Sequence, residues 1–324
     1  MDRAMRMLGM AVVMLLLGGC IGFRTDSPAP VDQSVSGTWT ALAPLPAPRQ
    51  EVAVAALDGR VFVIGGFNES GEPVANVDVY DPASNEWQSR APLPVGTHHA
   101  AAAVAAGRLY VLGGYTGGRV RWTTSSSVYE YDPARDAWTT RAPMPTARGG
   151  LAAAGLGNRI HALGGTSDGV TNTHEVYDAV ANRWSSANPM PTARDHLAAV
   201  AFRGQIWVLG GRESFIGTQF ANVEVYDPAT DSWRVAPSLP SARGGLAAAA
   251  LSDRILVFGG EAPLRIFSAT EMYEAATNRW IAKTPMPTPR HGIGAAVVDG
   301  RIIIPGGGRQ PGLAATHANE AFAP

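Results

Sequence analysis

The feature that most constrains the fold of this chain is a repeat. Six short apolar runs end in a Gly-Gly pair, and the pairs lie roughly 46 to 51 residues apart, at Gly65-Gly66, Gly113-Gly114, Gly164-Gly165, Gly210-Gly211, Gly259-Gly260 and Gly306-Gly307. Five units also carry a tyrosine followed seven residues later by a tryptophan, at Tyr80/Trp87, Tyr131/Trp138, Tyr177/Trp184, Tyr226/Trp233 and Tyr273/Trp280. A fixed period of this length predicts tandem supersecondary units that share a core with their neighbours.

Each unit has the pattern of a four-stranded antiparallel sheet. An Ala-rich segment such as residues 246–250 and a β-rich run such as residues 255–258 flank a turn pair, here Ser252-Asp253. In a third segment apolar and polar residues alternate up to the tyrosine. The tryptophan follows a turn containing Asn or Asp, residue types that accept a left-handed backbone. We expect the alanines to form the innermost strands, because six such strands crowd around one axis.

The Gly-Gly and Tyr-x6-Trp patterns resemble the kelch-repeat family over residues 37–322. The resemblance implies an all-β fold, a single six-bladed β-propeller at residues 37–324. The sixth unit reaches Phe322 without a tryptophan strand, whereas residues 37–42 hold an isolated one around Trp39. We therefore expect the amino-terminal strand to complete the last blade and close the ring.

The amino terminus has the pattern of a secretion signal. Arg3 and Arg6 precede a short apolar run, and Leu17-Gly18-Gly19-Cys20 resembles the lipobox of bacterial lipoproteins. The resemblance implies a signal peptide at residues 1–19, lipid (palmitate included) on Cys20, a tether at 20–36 and an outer-membrane location on its periplasmic or surface side. Ordinary secretion with a chance cysteine is the alternative.

Composition and motifs exclude several functions. A net charge of −1, from 26 basic and 27 acidic residues, argues against a nucleic-acid partner. With Cys20 as the one cysteine, neither an intrachain disulfide nor a thiolate metal cage forms. No histidine pair has the close spacing of ligands on one strand or helix, so we predict no metal and no cofactor. Residues 165–169 match G-x-S-x-G but lack the strand-to-helix elbow of a hydrolase.

Candidate ligand-binding residues lie at the start of the inner strands. Five units place an arginine there, at Arg49, Arg148, Arg194, Arg243 and Arg290, and the second unit has Thr97 followed by His98 and His99. A ring of guanidinium groups suits a carboxylate or phosphate ligand. The alternative is a scaffold role, because each tyrosine strand carries an acid able to pair with an arginine, such as Asp78, Glu175, Glu224, Glu271 or Glu320.

Departures from the repeat are further candidates. They are His98, His99, Asp195, His196 and His291, together with Glu213 and Glu261 after two of the Gly-Gly pairs. If His99, His196 and His291 point towards the axis, Glu213 or Glu261 beside them would supply an acid and a base. The variable loops after Gly-Gly also carry Trp122, Phe215, Phe220 and Phe267, which either stack on a ligand or cover the blade rims.

These features leave two functions open. The first is a monomeric, lipid-anchored binding module for an envelope protein or glycan, with an anionic ligand as one option and with no catalysis. The second is a sugar-acid mutarotase, since six-bladed bacterial kelch proteins include the N-acetylneuraminate epimerase family, although no local motif here assigns a catalytic residue. A copper-radical oxidase like galactose oxidase is excluded, because its crosslinked cysteine has no counterpart in the propeller.

Overall fold

The structure, a computed structural model, describes residues 36–118, 121–214 and 216–324. The predicted signal peptide, Cys20 and the tether up to residue 35 lie outside these residues, as does Phe215. Within the described ranges, no helix is long and apolar enough to cross a bilayer.

Six four-stranded antiparallel sheets form the blades of a propeller. From the inner to the outer strand, the first three blades are Ala53–Leu57, Arg60–Ile64, Val77–Asp81, Glu86–Arg90; Ala101–Ala105, Arg108–Leu112, Val128–Asp132, Ala137–Thr140; and Ala152–Leu156, Arg159–Leu163, His174–Asp178, Arg183–Ser186. The last three are Ala198–Phe202, Gln205–Leu209, Val223–Asp227, Ser232–Ala236; Ala247–Leu251, Arg254–Phe258, Thr270–Glu274, Arg279–Lys283; and Ala296–Val298, Arg301–Pro305, Asn319–Ala323, Thr38–Ala41. Two small ribbons extend the loops of blades two and five, Tyr115–Thr116 with Thr123–Thr124 and Glu261–Ala262 with Arg265–Ile266.

The predicted closure by the two termini is confirmed. Thr38–Ala41 is the outer strand of blade six and pairs antiparallel with Asn319–Ala323, in a register that places Trp39 opposite Phe322. The two ring centroids lie 5.1 Å apart, and the indole N–H of Trp39 donates to the Thr284 carbonyl of blade five. The amino-terminal strand therefore covers the edge of Asn319–Ala323 and gives the last blade the same four strands as the other five.

The inner strands pack side by side in a closed order around a central channel of about 400 Å³. Their side chains alternate in burial, and the channel is lined mainly by alanine and valine. Space is tightest at Gly155, where a Cβ atom would collide with the Val104 carbonyl of the neighbouring blade. This close approach explains why small residues occupy the inner strands.

The tyrosine, the turn residue and the tryptophan form one hydrogen-bonded unit in five blades. In blade one the Tyr80 hydroxyl donates to Asn85 Oδ1, and Trp87 donates to the Ala43 carbonyl of the preceding connection. Asn85 has φ of 57°, and its counterparts Asp136, Asn182, Asp231 and Asn278 are left-handed too. The tyrosines and tryptophans thus have the structural role that the sequence predicts, which is to hold the outer strands and the connections between blades together.

Candidate functional site

The five predicted arginines lie inside the blades. Their side chains are 0–2% exposed, and they form ion pairs with the acids of the third strands: Arg49–Asp78, Arg148–Glu175, Arg194–Glu224, Arg243–Glu271 and Arg290–Glu320. Arg148 also donates to the Gly164 and Thr173 carbonyls, so it ties the Gly-Gly turn to the third strand. Burial lowers the pKa of Arg290 to about 10 against the opposing effect of Glu320, so it stays charged at neutral pH.

Blade two replaces both members of this pair. Thr97 stands in the arginine position, and Tyr129 stands where the acid would be, since Tyr129 pairs with Val111 as Asp78 pairs with Val63. The arginine and its acid are thus lost together in this blade, as expected if each ion pair serves as one structural unit. The geometry favours the scaffold role over a guanidinium ring for ligands, and the expectation of an anionic ligand loses its structural basis.

A different set of residues surrounds the mouth of the channel. We call the residues at the start of the six inner strands the axial ring: Glu51, His99, Gly150, His196, Gly245 and Gly292. Each backbone N–H donates to the carbonyl of the preceding ring member over 2.8–3.1 Å, from Glu51 to Gly292 and onward around the circle. All six residues have φ between 50° and 64°.

A left-handed φ suits glycine and costs other residues free energy. Three members of the axial ring are glycines, whereas the other three are Glu51, His99 and His196. The glycines also make room for these side chains, because a Cβ at Gly292 would collide with the Glu51 carboxylate. Backbone strain of this kind persists where the surroundings fix it, and it concentrates at functional sites.

Around these three side chains lies a larger group that we call the polar cluster: Glu51, His98, His99, Asp195, His196, Arg212, Glu261 and His291. Its side chains are 0–12% exposed. The cluster joins residues from five blades, since the loop after a Gly-Gly pair lies beside the next inner strand.

Hydrogen bonds and ion pairs connect its members. His99 Nε2 lies 3.3 Å from Glu51 Oε2, and His196 Nδ1 lies 2.8 Å from Asp195 Oδ1. Arg212 contacts both Asp195, at 3.4 Å, and Glu261, at 2.6 Å. His291 Nε2 is 3.5 Å from Glu51 and 3.6 Å from Glu261. The cluster thus holds three carboxylates and one guanidinium.

Burial sets the charge of two histidines. It lowers the pKa of His98 to about 4, although Glu51 acts in the opposite direction. Burial also lowers the pKa of His99 well below its usual value, reinforced by His196, His98 and Arg212. Both rings are therefore neutral at pH 7, and their Nδ1 atoms share one hydrogen bond of 2.6 Å.

Asp195 is held in its ionised form. Burial by itself would raise the pKa of this carboxyl group, but the hydrogen bond from His196 and the charges of His196 and Arg212 lower it to about 2. Thr166 also donates to Asp195 Oδ2 over 2.9 Å. This ionised carboxylate orients the His196 ring and directs Nε2 away from Asp195.

A pocket of about 350 Å³ opens over the cluster on the loop face. Trp122 is 47% exposed at its edge and packs on His98 and His99, with ring centroids 4.7 and 5.3 Å away. His98 stacks on Phe67 at 3.9 Å. The exposed Leu313 also lines the pocket. The pocket thus combines an aromatic and aliphatic rim with a polar floor, as recognition sites do.

The other loop aromatics have separate positions. Phe267 is buried under Arg243 and Arg265 and covers a blade rim. Phe220 is half-buried, and Glu213 is exposed, whereas Glu261 belongs to the polar cluster. Of the two acids offered for acid–base chemistry, the structure therefore brings Glu261 to the histidines and leaves Glu213 outside.

The sequence analysis did not single out Glu51 and Arg212. Alignment of the six units on their Gly-Gly pairs would have revealed both. Glu51 occupies a position that is glycine in three other units. Arg212 directly follows its Gly-Gly pair, as Glu261 does in the next unit. The prediction of no metal considered ligands on one element, whereas Glu51, His99 and His196 come from three blades.

Comparison with known proteins identifies the repeats. The family described as KLHDC2/KLHL20/DRC7 Kelch-repeats domain matches residues 14–211 and 150–322. Kelch-like protein 35 of Mus musculus is 32% identical over 171 residues, and Kelch-like protein 35 of Homo sapiens is 43% identical over 170. These alignments cover 53% and 52% of this chain and 28% of each relative, so the chain spans little more than a quarter of their length.

A solved structure, YjhT, superposes with a TM-score of 0.73 at 16% identity, over 86% of this chain and 96% of that chain. At this identity the likeness concerns the fold alone. The fold and the repeat match agree, and this chain belongs to the kelch-repeat family.

Proposed function

We propose that this chain is a non-catalytic binding module of the bacterial cell envelope, anchored by lipid on Cys20, whose loop face takes a protein partner. Kelch propellers generally bind protein partners, and the pocket on the loop face gives such a partner a defined place. A glycan ligand is the second possibility within the same function.

The observation that carries the proposal is the position of Trp122. This side chain is half exposed at the edge of a concave pocket, and its position is fixed by an edge-to-face contact with His98 and a tilted contact with His99. A preorganised tryptophan beside a pocket is typical of residues that dominate binding energy. The floor supplies Glu261, Arg212 and His291 as hydrogen-bonding groups.

The charge of the site favours a neutral or cationic group from the partner. Three carboxylates surround one guanidinium in the polar cluster, and Arg212 already contacts two of them. An anionic group entering the pocket would meet these carboxylates without a free counter-charge from the five buried arginines.

The test is site-specific photocrosslinking in cells. A crosslinking amino acid replaces Trp122 in one variant of the full chain and Val180, which is 72% exposed on the opposite face, in the control. We expect one protein adduct at position 122 that is absent at position 180. The same adducts at both positions, or none at 122, would contradict the proposal.

The anchor has its own test. Cys20→Ser removes the thiol that lipid attachment requires, and the variant should lose incorporation of labelled palmitate and leave the membrane fraction. Cys20→Ser protein that remains in the membrane fraction with its label would refute the lipoprotein assignment.

A second candidate is the sugar-acid mutarotase. The observation in its favour is that His99 and His196 lie beside the carboxylates Glu51 and Asp195 in the polar cluster, since imidazoles and carboxylates are groups used for proton transfer. Anomeric exchange of a sialic or uronic acid, followed by NMR, separates the functions. Faster exchange with the chain than with its His99→Gly variant supports the enzyme, and identical rates support the binding module.

A further inference from the structure

Three members of the axial ring depart from glycine at a cost in backbone strain, and all three are residue types that bind metal ions. Glu51, His99 and His196 each offer one ligand atom, and these atoms lie within 4.8 Å of one another. The corresponding positions of the other three blades are glycine. From this convergence we propose that Glu51, His99 and His196 form a binding site for a divalent transition metal ion, Zn²⁺ being the best fit, at the mouth of the propeller channel.

The ligand set has the composition of known metal centres. Two imidazoles and one carboxylate with an open position are typical of zinc sites, and the same donors serve other divalent transition metals. With bonds of about 2.1 Å, tetrahedral ligand atoms lie about 3.4 Å apart. The 3.3 Å between His99 Nε2 and Glu51 Oε2 fits this spacing, and the His196 ligand atom, which lies within 4.8 Å of the other two, must move closer to them on binding.

The state of the histidine nitrogens supports the assignment. His196 Nδ1 bonds to Asp195, while His196 Nε2 is buried with no hydrogen-bond partner among the described residues. The Nε2 atom itself is shielded from bulk solvent. An unpartnered buried ring nitrogen costs free energy that coordination of a metal ion would recover.

Each ligand also has a supporting residue of the kind that metal sites use. Asp195 accepts from His196, the His98 ring bonds to His99 Nδ1, and His291 lies 3.5 Å from Glu51 Oε1. In the tautomer in which His99 donates to His98, the Nε2 atom of His99 carries the lone pair needed for coordination. Such outer partners fix ring orientation and strengthen the ligands.

Room for the remaining ligands lies inside the ring, where the three glycine positions carry no side chain. Gly150, Gly245 and Gly292 leave a cavity of about 80 Å³ at the channel mouth, which is enough for water ligands. The chain thus combines three ligands with an accessible coordination position, which is the arrangement of sites that bind a further molecule through the metal.

The repeat itself provides the test variants. Glu51→Gly, His99→Gly and His196→Gly each install the residue that other blades use at the same φ, so the fold should be retained. His317→Gly is the control, since His317 is exposed and outside the ring. The purified full-length chain is stripped with a chelator and titrated with Zn²⁺ by calorimetry, and Co²⁺ is added as a spectroscopic probe.

We expect one Zn²⁺ per chain and a Co²⁺ absorption band from nitrogen and oxygen ligands. Each ring variant should bind at least 100-fold more weakly and lose the band, with its melting temperature unchanged or raised in the absence of metal, whereas His317→Gly should behave as the parent. No stoichiometric binding, or binding that survives His99→Gly and His196→Gly, would overturn the proposal. Glu51 and His99 also line the pocket beside Trp122, but metal binding is measured on the purified chain without a partner, so the titration and the crosslinking at position 122 fail separately.

Discussion

The buried arginine pairs give the sharpest quantitative prediction, and Arg148→Met is the change to make. Methionine keeps most of the side-chain volume but removes the guanidinium, leaving Glu175 as an uncompensated carboxylate that is 5% exposed. It also removes the donors to the Gly164 and Thr173 carbonyls, at 2.7 and 3.1 Å.

Removing one partner of a buried pair costs about 3 to 5 kcal/mol. At roughly 2 °C per kcal/mol for a propeller of this size, the melting temperature should fall by about 6 to 10 °C. The measurement is calorimetric or circular-dichroism melting of the full chain at neutral pH. A second variant, Arg148→Met with Glu175→Gln, removes both charges and should regain about 2 kcal/mol of the loss.

The matched control is Arg60→Met. Arg60 also contacts an acid, Asp81 at 3.3 Å, but its side chain is 46% exposed, so the change should cost less than about 1 kcal/mol. If Arg148→Met melts within 1 °C of the Arg60→Met control, burial of the pair does not hold the blade together. The guanidinium ring would then have to be reconsidered as a ligand site.

Two further predictions concern the fold. The buried rings of His161 and His174 bond at 2.9 Å, and burial is the main cause that lowers their pKa values to about 3 and 4. The unfolded chain therefore binds more protons below pH 6.5, so stability should fall by about 2 kcal/mol per histidine as the pH drops from 7 to 5. The double variant His161→Leu with His174→Val installs residues that other blades carry at these positions. Thermal melts at pH 7 and pH 5 should show that it loses most of the pH dependence of stability, and a dependence equal to that of the parent would contradict the prediction. Trp39→Ala breaks the contacts with Phe322 and Thr284 and should cost about 2 to 4 kcal/mol in chemical unfolding, so a loss below 1 kcal/mol would argue against closure by the amino-terminal strand.

Much of the fold was predictable because the repeat fixes local geometry. The Gly-Gly pairs and the left-handed Asn or Asp before each tryptophan impose their conformations through sterics and turn chemistry, and the turn pairs after the alanine segments indicate hairpins despite the helix propensity of alanine. The missing strand of the sixth unit and the isolated Trp39 strand determined the closure, because a ring with one incomplete blade has a single way to pair its edges. The acids of the third strands likewise indicated partners for the arginines, but not which role the arginines have.

Only the tertiary structure decided the site. Whether an arginine at the start of an inner strand faces the channel or the blade depends on packing. Glu51 and His99 lie only two residues after the arginine position, yet their side chains face the axis. The polar cluster joins residues as far apart in the chain as Glu51 and His291, because the ring closure brings the first and last blades together. Sequence spacing carries no information on such contacts, since proximity across a propeller axis is set by the circular order of the blades.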